Sequence, residues 1–194
     1  MNNSARVLKE LAKDKAVLLV EDDELILENL ARMASHFFAK TYKSTNAQDA
    51  LEIYKEISST MAMIVVTDIN LGGKSGIDLT HSLKSVNEDQ KVIAISGTED
   101  RNVFIESIRC GIDRFVLKPI SQEELLNALI VLLQQIDYDL ELKKSRNLLE
   151  DSQKYTAQLL AEQDRFLKNA IHEIHTPLAV IITNVDLLRL KEIN

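Results

Sequence analysis

A chain of 194 residues, 45% apolar and 27% charged, has the composition of one folded domain plus an appendage and not that of a disordered tail. Its formal net charge of -7 argues against a broad nucleic-acid-binding surface, and Lys143, Lys144 and Arg146 form only a small cluster, read as a solvated helix face. The single cysteine, Cys110, excludes an intrachain disulfide and suits a reducing cytoplasm; residues 1–15 do not read as a signal peptide, and no apolar run reaches membrane-spanning length.

Val7, Leu8, Leu11 and Ala12 stand at helical spacing, so a short helix is expected within residues 1–14, with no role assigned to it. Strands are then expected at 17–20, 41–43, 63–67, 92–96 and 115–117. Most are Val-, Ile- and Leu-rich without alternation, as strands buried on both faces should be. Helical patterns separate them: Leu25, Leu30, Met33 and Phe37 on one face; Ala50, Ile53, Tyr54 and Ile57; Leu79, Leu83 and Val86; Phe104, Ile105 and Ile108. Alternation of this kind predicts an α/β fold with a doubly wound parallel sheet, whose ligands sit at the carboxyl ends of the strands.

The last third reads differently. Between Gln122 and Ile174 there is neither Gly nor Pro. Leu126, Leu129, Leu133, Ile136 and Leu140 follow a 3–4 spacing, as do Leu148, Ser152, Tyr155, Leu159 and Phe166, with a phase break between the two sets. One long C-terminal helix, or two nearly continuous ones, with an imperfect coiled-coil seam is the expectation. Such a stripe needs a partner helix, and a homodimer is favoured over folding back, although residues 125–133 suit packing onto the sheet domain.

Glu21 and Asp22 follow the first strand and Asp68 follows the third, which brings acids to one edge if those strands are neighbours. Clustered carboxylates raise one another's pKa values unless a cation joins them, and Mg²⁺ is the usual hard ion where phosphate is also bound. Ser96 ends the fourth strand and Lys118 follows the fifth, adding a hydroxyl and an ammonium suited to phosphoryl oxygens. Taken singly these residues read as helix-dipole partners, turn residues or surface charges; three strand ends carrying the same chemistry argue for a site.

The stretches VLLVEDD, VVTDINLGGKSGIDL, IAISG and FVLKPI, in this order and spacing, resemble the motifs of response-regulator receiver domains over residues 15–135. The resemblance implies a flavodoxin-like (βα)₅ fold with Asp68 as phosphoacceptor. It implies Mg²⁺ on Glu21, Asp22, Asp68 and the backbone carbonyl of Asn70, and phosphoryl contacts from Ser96 and Lys118. Phe115 matches the switch aromatic, and Lys118–Pro119 a bond that is typically cis. Glu21 stands where many members carry Asp, and Gly72 where a Pro is common.

Near the C-terminus the chain reads FLKNAIHEIHTPLAVI. The spacing of His172 and His175 does not match a HExxH zinc pair, and two surface histidines are the bland alternative. Glu173 beside His172 can take a proton from one ring nitrogen, and Pro177 removes a helical hydrogen bond and favours a kink. The stretch resembles the H-box of histidine kinases over residues 160–192. By that resemblance His172 is a phosphoacceptor, Glu173 its general base, and Thr176 a residue supporting dephosphorylation of a partner regulator; Ile171 and His175 depart from a frequent Ser and a frequent Arg.

The expected organisation is an N-terminal extension at 1–14, a receiver at 15–135, a coiled-coil linker at 136–160 and a truncated phosphotransfer helix at 161–194. A second hairpin helix and an ATP-binding domain do not occur in the sequence, so a piece of a longer sensor kinase is expected, and kinase activity of this chain is left undecided. Expected partners are a cognate histidine kinase or phosphotransfer protein, a downstream response regulator and a second copy, with no nucleic acid and no membrane. The leading function is two-component signalling through Asp68 to the His172 helix. The alternatives are a non-catalytic dimerisation module, or phosphorelay between His172 and Asp68 of another molecule, because residues 122–172 span about 75 Å as one helix.

Overall fold

The apolar runs form five parallel strands: β1 (Ala16–Val20), β2 (Lys40–Ser44), β3 (Met63–Asp68), β4 (Lys91–Ser96) and β5 (Arg114–Leu117). They make one sheet of order β2-β1-β3-β4-β5, a doubly wound flavodoxin-like arrangement. The computed structural model describes residues 3–97 and 101–191, which fall into two units, Met1–Leu140 and Glu141–Asn194. Residues 1–2 and 192–194, the ends of the expected extension and phosphotransfer helix, lie outside the described residues.

Every β1 and β3 side chain is buried, so each strand feeds both layers of the core. Val17, Leu19, Ile64, Val66, Ile93, Ile95 and Val116 join a cluster completed by helices α1 (Asn3–Ala12), α2 (Glu24–Ala34) and α6 (Gln122–Lys191). Leu18, Val20, Val65, Val92 and Ala94 join another, completed by α3 (Ala47–Ile57) and α4 (Gly76–Val86). The alternating direction of strand side chains sorts the two sets. Polar residues start the helices: the Asp23 carboxylate accepts from Leu25 N and Ile26 N, Asn46 accepts from Asp49 N, and Ser75 forms a capping box with Asp78.

Several expected helix faces shift. Leu25 lies in the first turn of α2 and is 77% exposed; Leu27, Leu30, Ala31 and Ala34 form the buried face, while Phe37 packs from the turn beyond the helix. Val86, the last residue of α4, is exposed. On α5 (Arg101–Arg109) the apolar set Phe104, Ile105 and Ile108 faces outward, and Ser107 is fully buried. A small residue lets the helix backbone approach the sheet, which leaves the larger side chains on the outer face.

Helix α6 is continuous from Gln122 to Lys191, starting where Ser121 Oγ accepts from Glu124 N. Leu125, Leu126, Leu129, Leu132 and Leu133 are buried in the sheet core, so this stretch folds back onto the first unit. In the second unit Leu148, Tyr155, Leu159 and Phe166 are exposed. The helix expected within 1–14 is α1, with Leu8 and Ala12 fully buried.

Candidate phosphoryl site

Strand register assembles the site. Val20 pairs with Thr67, so the residues that follow them, Glu21 and Asp68, reach the same edge side by side. Asp68 pairs with Ile95 and Ser96 with Leu117, which sets Ser96 and Lys118 along the neighbouring strand ends. The Lys118 backbone N–H donates to the Ser96 carbonyl at 2.8 Å, and the Lys118–Pro119 bond is cis.

The ammonium of Lys118 joins two carboxylates. Its Nζ donates to Glu21 Oε1 and Oε2 at 3.1 and 3.0 Å and to Asp68 Oδ2 at 2.7 Å. Asp68 Oδ1 accepts from the Asn70 backbone N–H at 3.1 Å, so both of its oxygens are oriented. Glu21 and Asp68 are buried and Asp22 is exposed, yet one oxygen from each lies within 4.8 Å of the others. Burial pushes the Glu21 carboxyl above its ordinary range, the Lys118 hydrogen bonds oppose this, and the Asp68 charge adds to it. Burial also penalises the Lys118 ammonium, but its bonds to Asp68 and Glu21 outweigh that and leave its pKa raised. All the donors are hard oxygens converging on one point, a set that fits Mg²⁺. Beside them, Asp22, Asn46, Leu71 and Lys74 help to line a cavity of about 480 Å³.

Ser96 is buried at the end of β4. Phe115 does not enter the carboxylate cluster: it is half-buried, and its ring packs on Phe104 with centroids 4.9 Å apart at 45°. Phe104 was read from sequence only as a helix-face residue. Two further residues escaped sequence reasoning. Thr67 Oγ1, fully buried, donates to the Asp68 carbonyl at 2.9 Å. A Cβ at Gly76 would lie 2.1 Å from the same carbonyl oxygen, so only glycine lets α4 begin there. The signal for Gly76 is a helix-starting glycine in GKSGIDL, but a close approach of this kind is a tertiary fact.

In the second unit His172, Glu173, His175 and Thr176 are exposed on α6. Thr176 Oγ1 donates to the His172 carbonyl at 3.0 Å, and the helix runs on through Pro177. Pro177 has no N–H to offer the Glu173 carbonyl one turn earlier. Among the described residues no helix is long and apolar enough to cross a membrane.

The response regulator receiver domain family matches residues 17–130. The chain is 24% identical over 133 residues to the uncharacterized transcriptional regulatory protein YesN of Bacillus subtilis, covering 68% of this chain and 36% of that protein. It is 29% identical over 118 residues to the chemotaxis protein CheY of Thermotoga maritima, covering 59% and 94%. The signal receiver domain of an HD domain-containing protein from Pseudomonas fluorescens superposes with a TM-score of 0.60 at 24% identity, over 67% and 94% of the two chains, a likeness of fold. The chain thus spans about a third of YesN and 53% of a response regulatory protein of Staphylococcus epidermidis.

Proposed function

The chain belongs to the response regulator receiver domain family of two-component signalling, and from that premise we propose that it accepts a phosphoryl group on Asp68 and passes the change to its long helix. The observation that carries this reading is Lys118 held between Glu21 and Asp68 with Asp22 alongside. An Asp68 carboxylate oxygen attacks phosphorus, and an acyl phosphate bond forms. The bond from phosphorus to the donor breaks, and its electron pair leaves with the donor. Lys118 and the Ser96 hydroxyl receive the equatorial oxygens, and the Asn70 N–H keeps the nucleophile aimed. Glu21, Asp22, Asp68 and the Asn70 carbonyl would hold Mg²⁺, which supplies charge neutralisation when bound. Movement of Ser96 toward the new phosphate leaves space for Phe115 to turn inward, away from Phe104.

The helix carries the output in this reading. Residues 136–160 are a linker and 161–194 a phosphotransfer helix, with His172 the acceptor, Glu173 its base and Thr176 a helper in dephosphorylation. Exposed Leu148, Tyr155, Leu159 and Phe166 support a homodimer through this helix. The partners are a histidine kinase or phosphotransfer protein upstream and a response regulator downstream, in the cytoplasm. The test is intact mass after incubation with Mg²⁺ and a small phosphodonor, beside Asp68→Ala. One added phosphoryl group requiring both Mg²⁺ and Asp68 is expected. No addition, or addition that persists in Asp68→Ala, sinks the reading and leaves a non-catalytic interaction module.

A further inference from the structure

The family match begins at Val17 and ends at Ile130, so α1 and the part of α6 from residue 131 onward both lie outside it. These two appendages meet in one core. Leu8 and Ala12 of α1 are buried in the same cluster as Leu132 and Leu133 of α6, with Ile136 packed against it. The turn between α1 and β1 carries Lys15, a lysine only 4% exposed. Its Nζ donates to the Leu11 carbonyl at 2.8 Å and to Asp14 Oδ1 at 2.9 Å, and pairs with Asp137 Oδ1 of α6 at 2.7 Å. The Ala12 carbonyl accepts from the backbone of both Lys15 and Ala39, which fixes the end of α1 to the edge of the sheet.

We propose that α1 and Lys15 form a clasp that fixes the rotation of α6 at Leu132–Leu133 and Asp137. Replacing both partners of such a pair with apolar residues is often neutral, but removing one alone leaves Asp137 without Lys15 at the point where α6 is held, so the pair selects a geometry and its loss is felt there. A shift of α6 by one residue rotates it by about 100°, which puts Ile136 or Tyr138 in place of Asp137 opposite Lys15 and brings Gln134 or Val131 into one of the two core positions that Leu132 and Leu133 fill. The pair is therefore satisfied in one register only. The N-terminal helix thereby becomes the element that sets the rotation of α6 at residues 132–137.

The test is amide hydrogen exchange on the full chain. In Lys15→Met, which keeps an unbranched stem at position 15, amides of residues 131–140 are expected to exchange roughly tenfold faster, about 1.4 kcal/mol of local protection, with β1 and β3 amides unchanged. Asp137→Asn, at a part-exposed position, is expected to give the same pattern more weakly and decides the matter if Lys15→Met does not fold. Unaltered exchange at 131–140, or an equal rise in the strands and the helix, overturns the clasp. Phosphoryl uptake by Asp68 is measured in the same samples and is expected to be unchanged, so failure of the clasp and failure of the phosphoryl site give different results.

Discussion

The Asp68 backbone leaves no room for a side chain at position 76, and this makes Gly76→Ala a sharp perturbation. The added Cβ would sit 2.1 Å from the Asp68 carbonyl oxygen and 3.0 Å from its carbonyl carbon and from Thr67 Oγ1. None of these is the end of a flexible side chain, so α4 or the end of β3 must move. Overpacking of a rigid site costs about 1–3 kcal/mol, partly offset because alanine loses less conformational entropy on folding than glycine. With about 1.5 kcal/mol/M as the urea slope, a net cost of about 2 kcal/mol lowers the unfolding midpoint by roughly 1.3 M. Gly72→Ala is the control: there a Cβ meets Asp22 Oδ2 at 3.5 Å, an ordinary contact. Urea unfolding followed by far-UV circular dichroism, with phosphoryl uptake measured in parallel, should show Gly76→Ala losing both stability and uptake and Gly72→Ala holding its midpoint. Equal midpoints for Gly76→Ala and the unmodified chain would refute the reasoning.

Lys118→Met leaves Glu21 and Asp68 facing each other without their cation, so its melting temperature should fall in EDTA and recover with Mg²⁺ more than that of the unmodified chain; equal Mg²⁺ responses would count against the charge argument. Burial opposes the Lys15 charge, but Asp137 and Asp14 together raise its pKa. Its stabilisation is therefore present below the ordinary lysine pKa and lost as pH rises through the raised folded value, so urea midpoints should fall more steeply at alkaline pH in the unmodified chain than in Lys15→Met. Leu8→Ala removes a fully buried side chain and should cost about 2–5 kcal/mol by urea unfolding, whereas a loss under about 0.5 kcal/mol would mean α1 is not part of the core. Tyr155→Glu with Leu159→Glu places charges on the exposed apolar stripe and should abolish the proposed dimer in sedimentation equilibrium; an unmodified chain that is monomeric, or a dimer that persists in the variant, would count against this stripe as an interface.

Strands β1, β3 and β4 were legible because burial on both faces demands runs of Val, Ile and Leu, whereas the edge strands β2 and β5 are part-exposed and more polar; all five differ from expectation by a residue at their ends. Carboxylates at strand ends were legible for the same reason, since a parallel sheet fixes which end faces the site. Helix faces were less so. Periodicity finds an apolar stripe but not its direction, and on α5 the stripe of Phe104, Ile105 and Ile108 points outward over a buried Ser107. The tight approach at Gly76 and the Lys15–Asp137 pair join residues distant in sequence, where no local pattern records the contact.

Charge balance bears on the proposed phosphorylation of Asp68. Glu21, Asp22 and Asp68 against Lys118 leave a formal charge of -2 (three negative, one positive), which one divalent cation neutralises. Converting Asp68 to an acyl phosphate adds about one further negative charge and three acceptor oxygens. In the proposed reaction the new charge would draw on the donors already at the edge, the Lys118 ammonium and the Ser96 hydroxyl. Lys118 is the constrained member, because its Nζ contacts both Glu21 and Asp68. Turning toward a phosphate would loosen its hold on Glu21, whose carboxyl burial pushes up; a divalent cation held by Glu21, Asp22 and Asp68 would supply the charge neutralisation that Lys118 gives up. Ser96 and Phe115 lie on the neighbouring strands β4 and β5, so a shift at these strand ends reaches the Phe104–Phe115 contact on the outer face.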